Sequence, residues 1–362
     1  MDMTAAVLRT ADGPYTIEPV RLADPGPGQL LVRIVGAGMC HTDVLPRAPE
    51  SMAPPPIIVG HEGAGVVEAV GEGVTGIAVG DHVVLSFDSC GTCGPCSTGQ
   101  PAYCDTFFAR NLSGRELDGS TGVTDADGRQ ISSRWFGQSS FATHAIANQR
   151  NTVVVDPTLP LELLGPLGCG IQTGAGSVLV AMDVQPGSSI VIFGVGAVGL
   201  AAVMAAEVAG ATTIVAVDLQ QHRLDLAREL GATHTIAGGA GDVVEQVHAI
   251  TGGGAAYSFD TTGVPAVIRN ALLALRMTGV CGLVGIQIAP LELQGIEIVG
   301  KTVLGILEGA VDPQVFIPRM IELWQAGRFP FDRLIEPFPL SSINEAEQSS
   351  LTGGVIKPVL LP

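Results

Sequence analysis

The sequence predicts an α/β protein of two domains, one an irregular β-rich domain and the other a doubly wound parallel sheet. Three observations carry this. The chain has 362 residues, more than one hydrophobic core usually serves. Its first 170 residues read as short strands broken often by Gly and Pro, whereas the next stretch alternates strands with amphipathic helical patterns, the rhythm of a parallel sheet. Apolar residues make up 46% and charged residues 15%, with no like-charge block or low-complexity tract, which excludes a disordered chain.

In order, strands are expected at "LLVRIVGAG" (30–38), "GAGVVEAVG" (63–71), "DHVVLSF" (81–87) and "ATHAIA" (142–147). The second grammar supplies "SIVIFG" (189–194), "TTIVAVD" (212–218), "AYSFDTTG" (256–263) and "GVCGLVG" (279–285). These readings divide the chain into a first domain over 1–170, a parallel-sheet domain over 171–307, and a segment over 308–362 that returns to the first. No repeat of solenoid type is present.

Residues 190–206, "IVIFGVGAVGLAAVMAA", are uncharged over nearly the length of a membrane span. Gly194, Gly196 and Gly199 break the run into a β-branched strand and a small-residue helix, so it reads as a buried strand, turn and helix. The formal charge of -17 disfavours nucleic acid and anionic membrane surfaces as partners. The N-terminal stretch has an early acid and no apolar leader, so a cytoplasmic location is expected.

Gly194-x-Gly196-x-x-Gly199 directly follows a strand and opens a helix, the context a dinucleotide fingerprint requires. Pyrophosphate must approach backbone N–H groups at a helix N-terminus, where the dipole favours an anion and a β-carbon would obstruct. A second strand ends in Asp218, nineteen positions after Gly199, where a carboxylate can accept from ribose hydroxyls. The same carboxylate repels a 2′-phosphate, so NAD is expected over NADP; nearby Arg223 works in the other direction.

Six of the seven cysteines fall into two sets. Cys90, Cys93, Cys96 and Cys104, spaced C-x2-C-x2-C-x7-C, suit one tetrahedral structural zinc in a lobe over about 88–106. Disulfides and an iron–sulfur cluster are the rival readings of the same spacing. Cys281 reads as core. Cys40 and Cys169 stand far apart in sequence, and taken alone each would also be assigned to the core.

The stretch "GHEGAGVVEAVGEGV" (60–74) changes that reading. Gly60-His61-Glu62 with Gly65, Gly71 and Val74 resembles the signature of zinc-containing alcohol dehydrogenases in the medium-chain dehydrogenase/reductase superfamily. "MCHTD" (39–43), "DSCGTCGPCSTGQPAYC" (88–104), "GPLGCGIQTGAGS" (165–177) and "GVGAVG" (194–199) fall in the family's order, so the resemblance spans essentially the whole chain.

The resemblance implies a GroES-like catalytic domain and a Rossmann domain, two zinc ions and NAD. It implies Cys40, His61 and Cys169 as protein ligands of a catalytic zinc, with the fourth position open. Thr42 would meet the substrate hydroxyl, Asp43 would orient the His61 ring, and Glu62 would stand beside the metal. His41 and Lys357 would meet the cofactor pyrophosphate, joined in cofactor binding by Thr173, Ala197 and Val198. Relatives often continue the proton relay to a histidine three positions beyond the hydroxyl residue, where this chain has Leu45; water or His41 is expected to complete the relay here.

"CHTDVL", "RNLSGRELDGST", "WFGQSSF" and "GILEG" most resemble the aryl-alcohol branch. The resemblance places Ser86, Trp135, Phe136 and Leu307 at the substrate cleft, where an aromatic lining favours benzyl, cinnamyl or allylic alcohols over ethanol. The family also implies a homodimer or homotetramer. Two rival readings are a thiol-adduct (glutathione- or mycothiol-linked) formaldehyde dehydrogenase and, more distantly, a non-enzymatic zinc-module binding protein.

Overall fold

The computed structural model describes residues 1–239, 241–287 and 289–362. The chain divides into two compact units. One comprises Met1–Cys169, Asp312–Pro318 and Asp332–Pro362, the other Gly170–Val311 and Arg319–Phe331. Against the expected boundaries, the second unit runs to Val311 rather than 307, and the C-terminal segment is shared, with Arg319–Phe331 grouping with the second unit.

In the first unit a seven-stranded sheet is ordered Ile335–Pro339, Lys357–Leu361, Gln29–Gly38, Glu62–Val70, His82–Leu85 and Thr152–Val155, with His144–Asn148 also paired to Gln29–Gly38. Gln29–Gly38 buries alternate residues, as the period-2 pattern of "LLVRIV" requires. Its antiparallel register with Glu62–Val70 sets Gly38 opposite Glu62, and Val359 also pairs with Gly38. Three distant pieces of sequence, residues near 40, near 61 and near 357, thereby meet at one end of the sheet. Gly38 is required there, since a Cβ would lie 2.1 Å from Glu62 Oε2. A four-stranded sheet, ordered Asp2–Leu8, Tyr15–Leu22, Val123–Thr124, Gln130–Ile131, contributes Val7, Val20, Leu22, Val123 and Ile131 to a core shared with Ile58 and Ile146.

The second unit holds a six-stranded parallel sheet ordered His234–Ala237, Thr213–Asp218, Ser189–Phe193, Ala255–Asp260, Leu275–Leu283, Thr302–Gly305. Strand order reverses about Ser189–Phe193, so its C-terminal end is the switch point where ligands bind in open α/β sheets. Val191, Phe193, Val215, Val217 and Ile268 form the core between sheet and helices. The uncharged run over 190–206 divides into strand Ser189–Phe193 and helix Ala197–Val208. Among the described residues no helix is long and apolar enough to cross a membrane.

Candidate active site

Just past strand Gln29–Gly38 the chain enters a short 3-10 turn, His41–Arg47, with Cys40 extended at its N-terminus. Asp43, 2% exposed, reaches back so that Oδ2 accepts from Cys40 N at 3.1 Å. Its other oxygen, Oδ1, accepts from Gly60 N at 3.0 Å and stands 2.8 Å from His61 Nδ1. A carboxylate there makes Nδ1 the donor and leaves the Nε2 lone pair exposed to its surroundings. His61 is fully buried, and among the described residues Nε2 has no hydrogen-bond partner.

That orphaned nitrogen is the test for a metal, because a buried polar atom without a partner costs roughly 1–3 kcal/mol unless something binds it. Its neighbours are suitable donors. Ligand atoms of Cys40, His61, Glu62 and Cys169 all lie within 4.8 Å of one another. Cys169 reaches the cluster from the end of the turn Gly165–Gly168, which is held by Ser86 Oγ donating to Gly168 O at 2.6 Å. A hydrogen bond from Cys169 holds the Cys40 thiol well below its ordinary pKa, with Lys357 and His61 adding to the effect against burial. For His61, burial opposes the charged form, but Asp43 and Cys40 together outweigh it and raise the pKa. Two thiols and one imidazole fit zinc as three protein ligands.

Glu62 and Lys357 form a buried ion pair, with Nζ 2.8 Å and 2.9 Å from the two carboxylate oxygens and donating to Met39 O at 3.0 Å. Burial pushes Glu62 up, and Lys357 opposes that shift. Burial works against the Lys357 charge too, but Glu62 more than offsets it and raises the lysine. Lys357 is 2% exposed and donates to Met39 and to both oxygens of Glu62, so it neutralises Glu62 beside the metal ligands. His41 is exposed, and Thr42 Oγ1 lies 3.7 Å from Cys40 Sγ, which donates to it.

The stretch "WFGQSSF" is buried beside the metal ligands. Trp135 and Phe136 are 1% and 4% exposed, and Ser86 is fully buried. Trp135 Nε1 donates to Asp43 Oδ1 at 3.2 Å, while the Phe136 ring stacks on His61 with centroids 4.4 Å apart and planes at 25°. Trp135 and Phe136 thus pack against Asp43 and His61. Leu307 and Thr173 belong to the second unit. Gln138 was not legible in the sequence: Nε2 donates to His61 O and Ser86 O, and Oε1 accepts from Gly63 N. A buried amide within a glycine- and serine-rich turn carries no sequence signal of its partners.

In the cysteine lobe the sulfurs of Cys90, Cys93, Cys96 and Cys104 lie within 4.8 Å of one another. Cys90 to Cys96 and Cys93 to Cys104 are each 3.9 Å, close to the roughly 3.8 Å edge of a zinc–thiolate tetrahedron with bonds of about 2.3 Å. This spacing is far too long for a disulfide and leaves room for a single ion rather than a cluster. Backbone N–H groups of Thr92 and Cys93 hold Cys90 at about 5, while burial first, and then Cys93, push Cys96 up to about 12. Four adjacent thiolates repel one another, and a divalent cation removes that conflict.

At the switch point, Gly194 turns with φ +82, and Thr261 Oγ1 donates to its carbonyl oxygen at 2.9 Å. A Cβ on Gly199 would lie 1.9 Å from Gly194 O, so only glycine lets helix Ala197–Val208 start against this loop. Asp218 closes the fingerprint, accepting from Val195 N at 2.8 Å through Oδ2 and from Gln220 N at 2.9 Å through Oδ1. Each oxygen retains a lone pair for a ribose hydroxyl. Arg223 stands over Gly196, and its buried Nε has no hydrogen-bond partner among the described residues.

Comparison with known proteins agrees with this geometry. Residues 26–157 match the alcohol dehydrogenase GroES-like domain, and residues 197–325 match the zinc-binding dehydrogenase family. A geraniol dehydrogenase of Castellaniella defragrans is 47% identical, over 99% of this chain and 97% of its own. The crystal structure of benzyl alcohol dehydrogenase from Acinetobacter calcoaceticus superposes with a TM-score of 0.95 at 42% identity, covering 100% of this chain and 99% of that one. An alcohol dehydrogenase zinc-binding domain protein from Burkholderia ambifaria gives 0.98 at 49% identity with the same coverage. With identity at this level along the whole length, and donor sets for zinc and a dinucleotide loop in place, the chain belongs to the NAD-dependent zinc-containing alcohol dehydrogenases of the medium-chain dehydrogenase/reductase superfamily.

Proposed function

We propose that this enzyme oxidises primary aromatic or allylic alcohols to aldehydes, reversibly, with NAD. The carrying observation is the buried, unpartnered Nε2 of His61 set among the thiols of Cys40 and Cys169. The substrate class is supported by the geraniol and benzyl alcohol dehydrogenases it is similar to. In this reading Cys40, His61 and Cys169 hold the catalytic zinc, and Cys90, Cys93, Cys96 and Cys104 the structural one. Gly194, Gly196, Ala197, Val198, Gly199, Asp218, Arg223 and Thr173 bind NAD, with His41 and Lys357 at the pyrophosphate.

When bound, zinc lowers the pKa of the alcohol hydroxyl and NAD accepts the hydride. Thr42 takes up the hydroxyl proton at Oγ1 and passes it outward. Leu45 cannot accept it, so the exposed His41 or water completes the exit. Asp43 keeps His61 in the tautomer that leaves Nε2 free for the metal, and Lys357 holds Glu62 from carrying an uncompensated charge beside it. The exposed apolar residues Ile298, Val299 and Val303, on and next to the edge strand Thr302–Gly305, support a homodimer or homotetramer, and the reading includes a cytoplasmic enzyme.

The test is initial rates of NAD reduction with benzyl alcohol, cinnamyl alcohol, geraniol and ethanol, alongside zinc content. Two zincs per chain and kcat/KM at least about 10-fold higher for the aromatic or allylic alcohols than for ethanol are expected, the scale of a ring's added burial. Two zincs with turnover only of hydroxymethyl thiol adducts would move the assignment to the formaldehyde reaction, and no NAD reduction with any of these would refute it.

A further inference from the structure

The geometry points to Trp135 as a positioning residue for the catalytic metal, acting through Asp43 on His61. This rests on the proposed zinc site at Cys40, His61 and Cys169. Asp43 Oδ1 accepts three donors: Gly60 N, His61 Nδ1 and the Trp135 indole N–H. The first two come from the segment that carries the ligand itself. The indole reaches Oδ1 from elsewhere in the chain, 92 positions away, while Oδ2 is held by Cys40 N from Asp43's own turn, so the indole fixes Oδ1 independently of the segment that this oxygen must hold.

The turn that presents the indole is built at a cost. Phe136 and Ser139 adopt φ of 51 and 54, the left-handed region that non-glycine residues occupy only with strain. In return Trp135 N donates to Ser139 Oγ at 3.0 Å, Ser139 Oγ donates to Ile58 O at 2.6 Å, and the Phe136 ring covers the face of His61. Gln138 pins the His61 carbonyl from the same turn. Backbone hydrogen bonds from Ser140 N to Gly60 O and from Phe141 N to Val59 O complete the attachment. The turn therefore grips the His61 segment at its backbone, its ring face and, through Asp43, its ring edge. Groups that orient metal ligands in this way typically change metal affinity about 10- to 100-fold when removed.

The experiment uses zinc-loaded protein in a Trp324→Phe background, which leaves Trp135 as the sole tryptophan. Trp135→Phe removes the N–H, and replacement of Trp135 by benzothienylalanine removes it without changing shape, so a folded sample is secured either way. Zinc transfer to a chromogenic chelator is followed at both sites. Release from the Cys40, His61 and Cys169 site is expected to accelerate about 10-fold or more, while release from the four-cysteine site in the same unit stays within about twofold. Equal acceleration at both sites would show a general loss of stability, and unchanged release at the first would show a packing role; either overturns the inference. If the parent protein holds two zincs and oxidises alcohols, such a result leaves the proposed function standing. A parent with zinc only at the four cysteines would overturn both.

Discussion

At the level of single residues, the pair Glu62 and Lys357 shows how long-range strand pairing sets the partner of a buried charge. Both side chains are buried within a few ångströms of the metal ligands, and each satisfies the other. Taking away one member leaves a charge with no water to solvate it. Lys357→Met is therefore expected to destabilise the first unit by about 3–5 kcal/mol, read as a lowered urea midpoint. The double variant Glu62→Gln, Lys357→Met should recover part of that loss; a double variant no better than the single would mean that Lys357 serves some other purpose. The pairing with Glu62 has a physical reason. Sequence places a lysine near the C-terminus, but only the pairing of Val359 with Gly38 determines that its ammonium meets a carboxylate.

Elements show the same division between local and long-range causes. The loop after strand Ser189–Phe193 was legible because its glycines answer a local steric demand. Adding a methyl group at Gly199 drives a carbon against Gly194 O, and the relief must come from moving the helix N-terminus. Gly199→Ala is expected to cost about 1–3 kcal/mol at this contact and to weaken NAD binding roughly 10- to 100-fold by titration calorimetry. Retention of the parent affinity would mean that the loop is not the pyrophosphate site. The turn from Trp135 to Phe141 was quoted from the sequence, but its contacts were not legible there, since aromatic residues in a glycine-rich stretch suit a pocket wall as well as a buried clamp. Left-handed φ at Phe136 and Ser139 and the reach of Trp135 to Asp43 are tertiary facts, with no trace in hydropathy or spacing.

Across the whole molecule, the seven cysteines are sorted by environment into three kinds. Cys281 is fully buried in the second unit, where burial first of all pushes its thiol up to about 11, so it stays protonated and shielded. With both zinc sites filled, native protein is expected to react slowly with a thiol reagent at every cysteine. Chelation should release six reactive thiols, and the seventh should appear only on denaturation; seven thiols before denaturation would contradict the placement of Cys281. What the sequence determined by itself was the family, the alternation of strands and helices, the dinucleotide loop and the four-cysteine lobe. Each of these is written in residues close together in the chain, where turn sterics, helix termini and metal spacing act over a few positions. Tertiary structure alone decided that His61 keeps an unpartnered nitrogen, that Lys357 faces Glu62, and that Trp135 supports Asp43. Those outcomes depend on sheet register and on a turn folding back over residues 58 to 63, and hydrogen bonds between positions far apart in sequence leave no pattern along it.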